Sequence, residues 1–82
     1  MNTERIIKEI IPLFKGKIYY EEFNYKVEKI EYRVLEINIL SGFIDMNQWI
    51  GLNEIIEDYS LKIFKIGIAI YSNNLFIYLI EK

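Results

Sequence analysis

LKIFKIGIAIYSNNLFIYLIE, residues Leu61 to Glu81, is two β-rich runs joined by Ser72-Asn73-Asn74, with almost nothing polar in either run. Asn tolerates positive φ, so Asn73-Asn74 predicts a two-residue type I′ turn and a hairpin. That turn sets Ser72 against Leu75, Ile70 against Ile77 and Ile68 against Leu79. Side chains alternate with a period of two, so cross-strand partners share a face. One face then carries Phe64, Ile66, Ile68, Ile70, Leu75, Ile77 and Leu79. Their burial is expected to contribute on the order of 10–20 kcal/mol. The other face carries Lys65, Gly67, Ala69, Tyr71, Phe76, Tyr78 and Ile80. A ribbon that is apolar on both sides needs cover on both, from a helix, a loop or a second molecule.

Upstream, Asp45 and Gln48 have capping-box spacing, and Ile44 with Trp49 has the spacing of a hydrophobic staple. A helix is therefore expected from Asp45 on, its apolar side running Met46, Trp49, Ile50, Leu52, Ile56 and Tyr59. Gly51 within it costs up to about 1 kcal/mol against Ala and marks close approach to a strand or another helix. Ser41-Gly42 separates this helix from the alternating run Arg33 to Leu40, in which Leu35, Ile37 and Ile39 face inward.

Before that run, the sequence predicts a hairpin turning at Phe23-Asn24. It pairs Glu21 with Lys26 and places Ile18, Tyr20, Tyr25 and Val27 together, with Lys17, Tyr19, Lys26 and Glu28 on the wet side. The link from Lys29 to Tyr32 then needs an odd loop or a bulge. A single long bent strand is the competing reading. At the start of the chain Ile6, Ile7, Ile10 and Ile11 recur at helical spacing, Asn2 or Thr3 can cap the first turn, and Pro12 ends the helix near Ile11, with at most a kinked extra turn to Phe14. The expected fold class is α+β: one domain over residues 1–82, an antiparallel sheet of four to five strands and two helices, in the order α-β-β-(β)-α-β-β.

Composition narrows function by exclusion. The chain has 82 residues, is 52% hydrophobic, and balances ten Lys or Arg against twelve Asp or Glu for a net charge of −2. A balance of that kind offers no general attraction to nucleic acid or anionic lipid. Cysteine and histidine are both absent. Their absence removes disulfides, thiolate metal sites, the usual general base and the commonest transition-metal ligand. The acidic pairs Glu21-Glu22 and Glu57-Asp58 are sequence neighbours, which in a strand point to opposite faces, so neither makes a catalytic dyad. No phosphate-loop, dinucleotide or nucleophile-elbow glycine pattern occurs. No catalytic residue, cofactor or metal is expected. The absence of any long apolar run or leader-like start makes the expected location cytoplasmic.

Two binding readings remain. In the leading one the chain is a non-enzymatic binding protein, a homodimer or an adaptor or inhibitor that docks on a larger protein. Its contact surface is the aromatic face of the last hairpin, Tyr71, Phe76, Tyr78 and Ile80, with Trp49 as a second anchor. Small acidic proteins of AT-rich phages and archaeal viruses share this composition, so a viral source is part of that expectation. The alternative is single-stranded nucleic acid stacked on an aromatic sheet face, with Tyr19, Lys62, Lys65 and Tyr78 as the contacts. Against it, Glu21, Glu28, Glu31 and Glu36 are interleaved with the cations on the same strands, and phosphate contacts need a net positive field.

Overall fold

A computed structural model describes all 82 residues. In chain order the elements are α1 (Thr3–Leu13), β1 (Ile18–Val27), β2 (Ile30–Ile39), α2 (Met46–Asp58), β3 (Leu61–Ile68) and β4 (Leu75–Glu81). The strands form one antiparallel sheet in the order β1-β2-β4-β3, so the fold is α+β with two helices and four strands.

α1 is held at its start by the Asn2 side chain, which accepts from the Arg5 amide. It runs through Pro12 to Leu13, within the extra turn to Phe14 that the sequence allowed after Ile11. The proline sits in the last turn, where the chain leaves the helix by a Schellman-type closure. The Lys15 amide donates to the Pro12 carbonyl and the Gly16 amide to the Ile11 carbonyl, with Lys15 at φ 54° and Gly16 at φ 78°. This geometry buries Phe14 beside Ile6, Ile7 and Ile10.

α2 begins at the capping box read from the sequence: Asp45 accepts from the Gln48 amide, and the Gln48 side chain accepts from the Asp45 amide. Gln48 also donates to the Leu13 carbonyl at the end of α1. The two helices meet closely at Gly51, where an added Cβ would lie 2.7 Å from a Leu13 methyl. The glycine therefore marks a helix–helix approach. Leu52, Ile55 and Ile56 are buried, whereas Met46 and Ile50, expected on the buried side, are 72% and 50% exposed.

β1 and β2 correct the sequence reading. β1 is one ten-residue strand that passes straight through Phe23-Asn24, and the turn is Glu28-Lys29, with Val27 paired to Ile30. Glu28 takes φ 59°, a conformation that Glu seldom adopts and that no Gly or Asn signals here. As a result Ile18 and Tyr20 face one side of the sheet, while Tyr19, Phe23, Tyr25 and Val27 face the other.

The last hairpin is present, but its connection is longer than two residues. Ile68 pairs with Leu75, and Ala69 and Asn74 close the link by a hydrogen bond from the Ala69 amide to the Asn74 carbonyl. Only Asn73 takes positive φ, at 60°. The register thus differs from the expected one by four residues, an even number, so Ile66, Ile68, Leu75, Ile77 and Leu79 keep their common face. Phe64 does not. A β-bulge between Ile63 and Lys65 turns it to the opposite side. Ile70, beyond the end of β3, is 87% exposed and contributes nothing to the core.

The core lies on one side of the sheet. Leu35, Ile37 and Ile39 of β2, Ile77 and Leu79 of β4 and Leu61 of β3 pack against Ile6, Ile7, Ile10 and Phe14 of α1 and Leu52, Ile55 and Ile56 of α2. No helix of the molecule is long and apolar enough to cross a membrane.

Candidate protein-contact face

Both helices lie against the same side of the sheet, and the opposite side has no helix over it. That open face is built from alternate residues: Tyr19, Glu21, Phe23 and Tyr25 of β1; Tyr32, Val34, Glu36 and Asn38 of β2; Phe76, Tyr78 and Ile80 of β4; Lys62, Phe64, Lys65 and Gly67 of β3.

The rings on it lean against one another. Phe23 meets Tyr78 edge to face with centroids 5.3 Å apart, and Tyr25 lies 5.9 Å from both Tyr78 and Phe64. Tyr32 sits 4.9 Å from Phe64, and Phe76 5.3 Å from Tyr78. Tilted and edge-on contacts at these separations are favourable, and they let half-exposed rings shelter the residues beneath. Val34 and Ile80 are buried under this layer although no helix reaches them. The second side of the hairpin is thus covered in part by its own neighbours in the sheet.

Gly67 is what lets Phe76 lie down. A Cβ at Gly67 would come within 2.8 Å of the Phe76 ring, so the ring occupies space that any other residue would fill. Lys65 extends its ammonium over the same region, 5.9 Å from the Phe76 centroid and 5.8 Å from that of Tyr78, within cation–π range.

Charge on the face is mixed. Glu21 lies directly across from Glu36, and Lys65 across from Tyr78. Asn38 donates from its side chain to the Glu36 carboxylate. Burial pushes the Tyr78 phenol above its ordinary pKa, and the neighbouring Glu36 carboxylate pushes the same way. Both favour the neutral hydroxyl.

Of the contact residues read from the sequence, Phe76, Tyr78 and Ile80 stand together here, with Ile80 beneath the rings and not available to a partner. Tyr71 is not on the face. It stands at the tip of the connection between β3 and β4, fully exposed. Trp49 belongs to the other side of the sheet, where it packs half-buried against the core. The nucleic-acid set is split: Lys62 and Lys65 on one edge strand, Tyr19 on the opposite edge and 53% exposed, Tyr78 between them. Sequence reading missed Phe23, Tyr25, Tyr32 and Phe64 as members. The signal available for the first two was unbroken alternation from Tyr19 to Val27, which the Phe23-Asn24 turn assignment interrupted.

Compared with models of protein families, with curated protein sequences and with solved structures, the chain matches none.

Proposed function

We propose that this chain is a non-enzymatic binding protein that acts by docking its open aromatic sheet face on another protein, as an adaptor or inhibitor does. The observation that carries the reading is a sheet face with Phe23, Tyr25, Phe76 and Tyr78 in mutual contact and no helix over it. Tyr and Phe on a rigid strand lose little rotamer freedom when they bind and bring large contact area, which is why aromatic residues concentrate at interface centres. Lys62 and Lys65 on the β3 edge and Glu21 and Glu36 on β1 and β2 supply charges of both signs, suited to fixing orientation on a partner of mixed charge.

The same charges weigh against the nucleic-acid alternative. Glu21 and Glu36 stand across from each other on β1 and β2, two carboxylates on the same face that repel a phosphate backbone laid across it.

The test is affinity capture from source cells with the wild-type chain and with Tyr78→Lys and Phe76→Ser. A specific protein that is retained by wild type and lost by both folded variants supports the reading. Equal retention by all three would overturn it. Salt-sensitive shift of a labelled single-stranded oligonucleotide, weakened by Lys62→Ala and Lys65→Ala, would replace it with the alternative.

A further inference from the structure

We infer that the outer edge of β3 is a self-association site, at which two copies of this chain pair β3 to β3 about a twofold axis through Gly67. This surface is separate from the open aromatic face and does not depend on its role.

The sheet has two edges, and they are guarded very differently. β1 exposes Glu21 and Lys26 and carries the partly buried Glu22 between them, the kind of charge that keeps edge strands from pairing with other chains. On β3 the first half is broken by the bulge at Ile63/Lys65, but the stretch Lys65 to Ile68 is regular and carries one charge. From Ile66 to Ile80 the chain has no charged side chain at all. Ile66 and Ile68 point to the helix side of this strand, yet remain 48% and 51% exposed because α2 does not extend over them. On α2, Met46 and Ile50 are exposed as well.

The backbone selects the register. The Ala69 amide donates inward to Asn74, and donor direction alternates along an antiparallel ladder, so the amide and carbonyl groups of Ile66 and Ile68 point outward. A second copy related by a twofold at Gly67 sets Ile66 across from Ile68 of that copy, and the reverse. Both become hydrogen-bonded pairs. Gly67 meets Gly67 at the close, non-hydrogen-bonded position, where the absence of a side chain is an advantage. Lys65 falls across from Ala69 and not from its own counterpart, so no like charges face each other.

These are the requirements of an isologous contact: one patch, complementary to itself in hydrogen bonding, shape and charge. A partner of different chemistry has no charge here by which to be steered. Ile66 and Ile68 leave about half of their surface open on each copy, apolar area that pairing the two edges would cover.

The experiment is sedimentation equilibrium, with circular dichroism to confirm folding. Wild type should be dimeric at concentrations of ~0.1 mM and above, and Ile68→Lys should weaken the dimer at least about tenfold while leaving the spectrum unchanged. Tyr78→Lys, on the open face, should leave the dimer intact. The register has its own test, helped by a chain without cysteine. Ile66→Cys and Ile68→Cys variants mixed together should form an intermolecular disulfide, because hydrogen-bonded partners sit at a Cα separation of about 5.5 Å. Ile66→Cys alone should crosslink far less, its copies being about 8 Å apart. A wild-type chain that is monomeric at ~0.5 mM overturns the proposal. So does a dimer that survives Ile68→Lys but not Tyr78→Lys, which would assign self-association to the aromatic face instead.

Discussion

On the helix side of the sheet Leu35, Ile37, Ile77 and Leu79 have no exposed surface, sealed beneath two helices, whereas on the other side Tyr25, Phe76 and Tyr78 keep part of every ring in water. Adjacent residues of one strand belong to these two environments. The aliphatic side is closed by layers stacked on it, which excludes solvent completely. The aromatic side is closed only laterally, ring against ring, and that kind of cover leaves a surface on which something else can sit. Stability thus rests mainly on one set of pleats of the four strands, and the proposed docking surface on the other.

The largest effect that would check this division is truncation on the closed side. Ile77→Ala or Leu79→Ala removes atoms from a fully packed environment and should cost about 3–5 kcal/mol in chemical denaturation. Tyr25→Ala, which deletes a ring touching Phe23, Phe64 and Tyr78, should cost about 1–2 kcal/mol by the same measurement, because that ring is already partly in water. Equal losses on the two sides would break the comparison.

The two faces should also fail at opposite ends of the pH scale. Tyr78 has its folded pKa raised above the ordinary 10.0. Its contribution is therefore fully present below pH 10 and is lost as pH rises through the folded value. Thermal melts should show an alkaline fall above pH 10 that is smaller in Tyr78→Phe. On the closed side Glu22 is held below the ordinary 4.5, first by the Thr3 hydroxyl, which lies close without completing a hydrogen bond of normal geometry, then by the Arg33 guanidinium 2.9 Å away. Its contribution is full above pH 4.5 and fades as pH falls through the lower folded value. Because the pair is partly solvated, the effect is small. Glu22→Gln should flatten the acid limb of the stability curve by an amount that added salt reduces.

What could be read from the sequence was whatever is decided locally. The capping box of Asp45 and Gln48 needs only four consecutive residues, and it appears as expected. The parity of Ile66, Ile68, Ile77 and Leu79 follows from alternation and survives a four-residue change in register. The Glu28-Lys29 turn was illegible because Glu28 adopts positive φ without any residue type that prefers it, held there by ten paired residues on each strand. Asn73-Asn74 misled for the opposite reason. Its intrinsic turn preference is overridden by a tertiary contact: Gly42, at φ 78°, brings the loop before α2 so close to the Asn73 carbonyl that a Cβ there would lie 2.5 Å away. For the face itself, alternation gives membership, but which side the helices cover depends on packing between distant segments. Trp49 and Tyr71 show the limit: both are aromatic and flank the right elements, and neither reaches the open side.

The bulge at Phe64 also sets an arithmetic on chain length. Before it, the residues turned to the helices are odd-numbered, Leu61 and Ile63; after it they are even, Ile66 and Ile68. One surplus residue reconciles two phases that an uninterrupted ladder could not hold together. A chain lacking Phe64 would restore strict alternation along the whole strand, with every aliphatic residue still inward. It would straighten that border of the sheet and leave Tyr25 and Tyr32 without the ring between them.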